Sequence, residues 1–384
     1  MATLSAAKEL LAKLIGFDTT SAESNLGLIA FVQRYLDDHG VKSTLLPSED
    51  GKKASLFATI GDGDGGIGLS GHSDCVPVTG QTWTSDPFTL TERNGKLYGR
   101  GTCDMKGFIA SVLACVPLFN SASLTEPIHI IVSYDEEVGC VGVRPLIARI
   151  GADLPRPRLV IVGEPTSMQV IDAHKCIDVY RTTVTGREAH SSLPAIGVNA
   201  VSAAAKLVDE IDRMAADIAA RENDPRFEPP HSTVGVAMID GGNAHNIVPK
   251  TCEILWQMRG LPSTDAEQVP ATLAAFAKEA LLPGMRKVTS DAAVATQTQT
   301  SVPAFSAAPK SAAVALALAL TGANRTSAVS YATEAGLFEL ADCPAVVCGP
   351  GDIAQAHAAD EFVSVAQLEA CLRFLADLTE RLRT

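Results

Sequence analysis

Five short segments of the chain concentrate side chains able to hold a divalent cation or to move a proton. They are Gly71-His72-Ser73-Asp74, Asp104 within GRGTCDMKG, Tyr134-Asp135-Glu136-Glu137, Gly163-Glu164-Pro165-Thr166, and His357 within AQAHAADEF. Imidazole nitrogen and carboxylate oxygen are ligands that suit zinc and also accept cobalt or manganese. Each segment alone has an ordinary explanation: a lone histidine at a strand end is usually structural, and a run of acids is usually a solvated turn. Three acids directly after an apolar run are harder to explain that way, because crowded carboxylates repel and need something positive nearby. A pair of zinc ions would supply that charge, with neutral imidazoles at His72 and His357 completing the ligand shells.

Periodicity outlines the elements that must gather these segments. Residues 4–15 and 25–38 have helical spacing, with Asn25 placed to cap the second helix. VKSTLLP, ASLFATI and IGLSGHSD read as short strands, and a helix is expected near Phe108 to Leu118. The apolar strand HIIVSY (129–134) follows, then a short helix after Gly139 and the strand LVIVGE (159–164). Strands alternating with helices predict an α/β sheet covered by helices. Three of the five segments end strands, and open α/β sheets bind ligands beyond the carboxyl ends of their strands. The five segments are therefore expected to converge there.

The pattern changes near Cys176. CIDVYRTTVTG, a long helix over 199–220, the strands STVGVAMID and CEILWQMRG, a helix over 264–280 and a strand near 285–290 give a β-α-β-β-α-β order. Residues 178–290 are expected to form a domain inserted into a body made of 1–177 and 291–384. The body resumes with AVVCGP as a buried strand and 365–382 as a terminal helix.

HSDCVP, YGRGTCDMKG, DEE, GEPT and AHAADEF stand in the order found in the dinuclear zinc deacylase and aminoacylase family, which the chain resembles over nearly its whole length. That family includes carboxypeptidase G, succinyl-diaminopimelate desuccinylase and acetylornithine deacetylase. The resemblance implies an α/β, mixed-sheet metallopeptidase-like catalytic domain carrying a ferredoxin-like (βαββαβ) lid and dimerisation domain. It implies two Zn²⁺, with Co²⁺ or Mn²⁺ as possible substitutes, bridged by Asp104. His72 and Glu164 would complete one metal shell, and Glu137 and His357 the other. Asp74 would orient His72, and Glu136 would be the general base toward the attacking water and then the acid toward the leaving amine. GREAHSS (186–192) is similar to a lid motif whose histidine, here His190, helps stabilise the oxyanion, often in the partner subunit of a homodimer. Asn246 in HNIVP and Arg259 in QMRGLP match positions that hold a substrate carboxylate, a task suited to the planar, permanently charged guanidinium. GRGTCDMKGF, GEPTSMQ, AHKCIDV, SYATEAGLF and CGPGDIAQAHAADEFV are most similar to the acetylornithine deacetylases of the family. That similarity implies hydrolysis of N-acetyl-L-ornithine to L-ornithine and acetate in arginine biosynthesis, with Glu334 either meeting the ornithine ammonium or serving as a helix-start acid. The alternatives are deacylation of another N-acyl amino acid, such as an N-succinyl or N-formyl compound, and a metal-free binding protein that kept the fold.

Composition narrows the remaining classes. At 384 residues the chain exceeds what one core usually organises, so two domains are expected. A net charge of −13 argues against nucleic acid and anionic membranes as partners, since both need a positive field. Nine scattered cysteines, an odd number without a CxxC pair, predict reduced thiols. The N-terminal stretch has no signal-peptide pattern, and the longest apolar run, Ala312 to Leu320, is far below the ~20 residues that span a bilayer. A cytoplasmic protein is expected. Gly61 to Gly66 satisfies GxGxxG, but a strand follows it instead of a helix, so it is expected to be a hairpin turn. No G-x-S-x-G elbow is present, Cys75 and Cys103 are expected to be small apolar neighbours of the site, and His39 and His231 to be structural.

Overall fold

Apolar runs bounded by turn residues become buried strands in a computed structural model that describes residues 3–383. The first stretch comprises α1 (Leu4–Ile15), α2 (Leu26–Asp38), β1 (Ser43–Pro47), β2 (Ala54–Ile60), β3 (Ile67–His72), β4 (Thr91–Arg93) and β5 (Lys96–Tyr98). It continues with α3 (Lys106–Ser121), β6 (Ile128–Ser133), α4 (Val143–Arg149), β7 (Leu159–Val162) and β8 (Ile171–His174). Every residue of β3, β6 and β7 is buried, the mark of strands covered on both faces. Asn25 does precede α2, but its side chain does not cap it. The carboxamide instead pairs with both backbone groups of Ala54 and donates to Ser73 Oγ at 2.9 Å, tying the helix start to the strand beside it.

The second stretch comprises β9 (Ile177–Thr185), α5 (Ala200–Arg221), β10 (Thr233–Gly241), β11 (Thr251–Arg259), α6 (Gln268–Phe276), α7 (Leu282–Arg286) and β12 (Ala293–Val302). Its four strands form an antiparallel sheet in the order β10-β11-β9-β12. Burial alternates along β9, as it must in a sheet covered on one face. Asn199 caps α5 by accepting from Ser202 N–H, and Leu207, Ile211, Met214 and Ile218 join Val184 and Trp256 in one core. The strand expected near 285–290 lies later, at Ala293–Val302, because the helical path continues through Arg286. That shift moves the boundary: this unit is His174–Phe305 with Ala328–Ala332, and does not end at residue 290.

The chain then returns through β13 (Phe305–Ser306), α8 (Ala312–Thr321), β14 (Ser327–Val329), α9 (Ala335–Leu340), β15 (Ala345–Val347), β16 (Phe362–Ser364) and α10 (Val365–Arg381). The other unit thus joins the chain up to Ala173 with Ser306–Ser327 and the stretch from Thr333 onward. Its mixed sheet runs β1-β2-β6-β3-β7-β15-β8. Neighbours among β6, β3, β7 and β15 are parallel, while β1, β2 and β8 run antiparallel to theirs. Helices α1, α3 and α10 pack together in its core. The glycine-rich segment 61–66 is not a hairpin, because β6 lies between β2 and β3 and pairs with both. A small antiparallel sheet, β16-β5-β4, brings the region before Arg100 beside the region after Glu361. All nine cysteines are buried and free, and no helix among the described residues is long and apolar enough to cross a membrane.

Candidate metal centre

Parallel alignment puts the carboxyl ends of β6, β3 and β7 on one edge of the sheet. His72 closes β3 and is registered with Ser133, Glu136 and Glu137 lie in the turn after β6, and Glu164 follows β7. Asp104 sits just ahead of α3, and His357 lies in the loop between β15 and β16 with a left-handed φ of 60°. Close packing draws the Asp104 and Glu164 segments together. A Cβ at Gly163 would stand 2.1 Å from the ring of Phe108, and one at Gly349 would stand 2.0 Å from the Gly163 carbonyl. Only glycine permits that approach.

Asp104 stands between two imidazoles. Its Oδ1 is 3.0 Å from His72 Nε2, and its Oδ2 is 3.4 Å from His357 Nε2. His357 Nε2 also lies 3.0 Å from Glu137 Oε2, and His72 Nε2 lies 3.8 Å from Glu164 Oε1. Candidate ligand atoms within 4.8 Å of one another group as His72, Asp104 and Glu137, and as His72, Glu136 and Glu164. The five residues expected as ligands are therefore brought together, and Glu136 stands among them.

Asp74 stands beside His72 and also braces the acidic turn. His72 Nδ1 is nearer the Asp74 backbone carbonyl, at 3.0 Å, than its carboxylate, at 3.5 Å. The same carboxylate serves the acidic turn: Oδ1 also accepts from Glu136 N–H at 3.1 Å, and Oδ2 from Glu137 N–H at 3.3 Å and Ser21 Oγ at 2.8 Å. Lys53, which sequence reasoning did not single out, pairs with Asp135 and donates to the Ser21 carbonyl. Lys53 thus answers one of the three crowded acids, and the His357 imidazole meets another, Glu137.

Electrostatics describe a ligand set short of positive charge. Burial, reinforced by neighbouring carboxylates, pushes Glu136 and Glu164 well above the usual carboxyl range, and burial also raises Glu137. Burial opposes ionisation of Asp104 as well, but its bonds to His357 and His72 outweigh that and drive its pKa down. Burial would lower His72, yet hydrogen bonds to Asp104 and Asp74 raise it well above normal. Bonds to Asp104 and Glu137 raise His357 to about 10. Glu164 Oε1 is buried with no hydrogen-bond partner, an oxygen that a cation would satisfy. Chemically, the imidazole and carboxylate donors fit a pair of divalent cations.

Glu334 stands at the start of α9 as its N-cap residue, but its side chain makes no capping bond. It is buried, with Oε1 accepting from Ser133 Oγ at 2.5 Å and Oε2 from Ser70 Oγ at 3.1 Å. In the other unit, His190 and Ile247 form a bridge, and Ser191 N–H donates to the Asn246 carbonyl at 3.0 Å, so His190 and Asn246 are neighbours. His190 is exposed, and its Nδ1 is 2.8 Å from Ser192 Oγ. Arg259 ends β11 and lines a pocket of about 180 Å³ with Thr233 and Gln257. Cys75 and Cys103 are buried, and burial pushes both thiols up, so neither is a ready nucleophile. His39 and His231 each bond a backbone carbonyl, those of Tyr35 and Ser232.

The sequence pattern of Peptidase family M20/M25/M40 matches residues 68–381. An acetylornithine deacetylase of Proteus mirabilis is 35% identical over 94% of this chain and 92% of its own length. One of Myxococcus xanthus is 34% identical over 97% of both. Among solved structures, an M20 family metallo-carboxypeptidase from Sulfolobus solfataricus shares the fold with a TM-score of 0.77 at 17% identity, covering 97% of this chain and 98% of that one. A dinuclear metal-binding M20 peptidase from Bacillus subtilis does so with a TM-score of 0.69 at 16% identity, covering 99% and 98%.

Proposed function

The chain belongs to peptidase family M20/M25/M40, and from that premise we propose that it hydrolyses N-acetyl-L-ornithine to L-ornithine and acetate. Its family and relatives make it a metal-dependent amidohydrolase. The observation that carries the substrate is the likeness to acetylornithine deacetylases along more than nine tenths of this chain. The reaction class rests equally on Asp104, a buried carboxylate facing one imidazole with each oxygen.

In this reading His72, Asp104 and Glu164 hold one zinc, and Asp104, Glu137 and His357 the other. Bound there, the two cations would acidify a water and polarise the amide carbonyl. Glu136 takes the proton of the attacking water on its carboxylate and passes it to the departing amine. Asp74 keeps Glu136 in place through the backbone it grips. The βαββαβ unit acts as a ferredoxin-like lid and dimerisation domain, supplying His190 to the oxyanion and Asn246 and Arg259 to the substrate carboxylate. The protein works as a cytoplasmic homodimer in arginine biosynthesis.

The test is ornithine release from N-acetyl-L-ornithine by chelator-treated protein, before and after Zn²⁺ or Co²⁺ is added. Turnover restored by metal is the expected result. Metal uptake with no ornithine release, but release from an N-succinyl or N-formyl amino acid, replaces the substrate and keeps the reaction. Neither metal uptake nor turnover would leave a binding protein of the same fold.

A further inference from the structure

Glu361 has no part in the reaction as set out above, yet it is buried and all its oxygens are engaged. Its Oε1 accepts two successive backbone N–H groups, from Cys103 at 2.9 Å and Asp104 at 3.1 Å. Its Oε2 pairs with Arg100 Nη1 at 2.7 Å. Arg100, itself fully buried, reaches onward: Nη2 donates to Gln81 Oε1 at 2.5 Å, and Nη1 lies 3.4 Å from the Ala358 carbonyl. Gln81 then donates its Nε2 to the His357 carbonyl at 2.7 Å. Trp83 steadies this arrangement, donating its indole N–H to Gln81 Oε1 at 3.1 Å with its ring 5.0 Å from the guanidinium carbon. An unbroken path thus joins the backbone of Asp104 to the backbone of His357 through Glu361, Arg100 and Gln81.

A buried ion pair is a costly way to hold two loops together, since apolar residues of similar volume often do as well. This pair does something apolar residues cannot. A carboxylate gripping two consecutive amides fixes the direction in which the Asp104 side chain leaves the backbone, as Asp74 does for Glu136 and Glu137. The planar guanidinium then sets the distance from that grip to the next loop. His357 needs such help: its side chain is 53% exposed and its backbone holds a left-handed φ of 60°.

We propose that Glu361, Arg100 and Gln81 are positioning residues that set the separation of Asp104 and His357, and through it the affinity for the cation held between them. The proposal rests on the two-cation reading above. Groups that orient metal ligands from behind typically contribute about 10–100-fold to metal affinity.

The test is a zinc titration of the chelator-stripped full chain against a chromogenic competing chelator, with circular dichroism to follow the fold. In Glu361→Gln, either orientation of the carboxamide turns its NH₂ toward other donors, the two amides or the guanidinium. Zinc affinity is expected to fall about 10–100-fold, and kcat at saturating zinc to fall with little change in KM. Gln81→Met keeps the bulk but removes the link to His357, and is expected to weaken one zinc far more than the other. If both variants are folded and bind two zincs as the unaltered protein does, the pair only staples loops and the proposal is overturned. Should Glu361→Gln fail to fold, Gln81→Met decides alone. A chain that takes up no zinc before any substitution overturns the two-cation reading and this proposal with it, which separates the two failures.

Discussion

Replacing Asp74 with alanine should damage stability and turnover together, and the size of both effects follows from its contacts. The carboxylate is buried and accepts the N–H groups of Glu136 and Glu137. Truncation leaves both donors without acceptors, at about 1–3 kcal/mol each, so a loss of about 2–6 kcal/mol is expected. Asp74→Asn keeps one carbonyl acceptor and should cost roughly half as much. The same turn carries the proposed base and one proposed ligand, and a displacement of about 1 Å can lower a rate about 100-fold. The assay is urea unfolding of the chelated protein for stability, and kcat at saturating zinc for function. An Asp74→Ala protein within about 1 kcal/mol of the unaltered one, with unchanged kcat, would refute the claim that this carboxylate organises the turn.

Glu136→Gln should retain zinc and lose about 10²–10⁴ in kcat, the usual share of a proton-transfer group; lost zinc would make Glu136 a ligand instead. His190→Ala should lower kcat about 10²–10³-fold if the imidazole serves the oxyanion, whereas an effect confined to KM would make it a binding residue. A pH effect is expected away from the metal centre, at buried His129, whose Nε2 bonds the Gly65 carbonyl at 2.7 Å and whose Nδ1 meets Thr59 Oγ1 at 3.0 Å. Burial lowers its pKa from 6.5, so below that pH the unfolded chain binds a proton that the folded one refuses. The stability it contributes is present above pH 6.5 and lost as pH falls through the folded pKa. The unfolding free energy of the chelated protein, minus that of His129→Gln, should therefore shrink on acidification; a difference that ignores pH counts against a neutral His129.

The strands that carry the site were legible because strands covered on both faces must be apolar throughout. IGLSGH, IHIIVS and LVIV announce themselves, and the acids and histidine at their ends stand out against them. β12 was misplaced for the converse reason. AVATQTQTSV lies at the edge of its sheet beside β9 and is largely exposed, so it bears no apolar signal. The hairpin expected at 61–66 failed because β6, which arrives some 60 residues later in the chain, inserts between β2 and β3.

The residues able to bind metal were thus determined by the sequence alone, since ligand chemistry belongs to side-chain type and strand ends place such side chains on one edge. What holds them was decided only by the tertiary structure. Lys53 meets Asp135 across 82 positions, Ser70 meets Glu334 across 264, and Glu361 reaches the Asp104 amide across 257. No local pattern encodes such pairs. A buried charge or a bare amide finds its partner among whatever groups folding brings within hydrogen-bond reach, and burial then makes each of those partners matter.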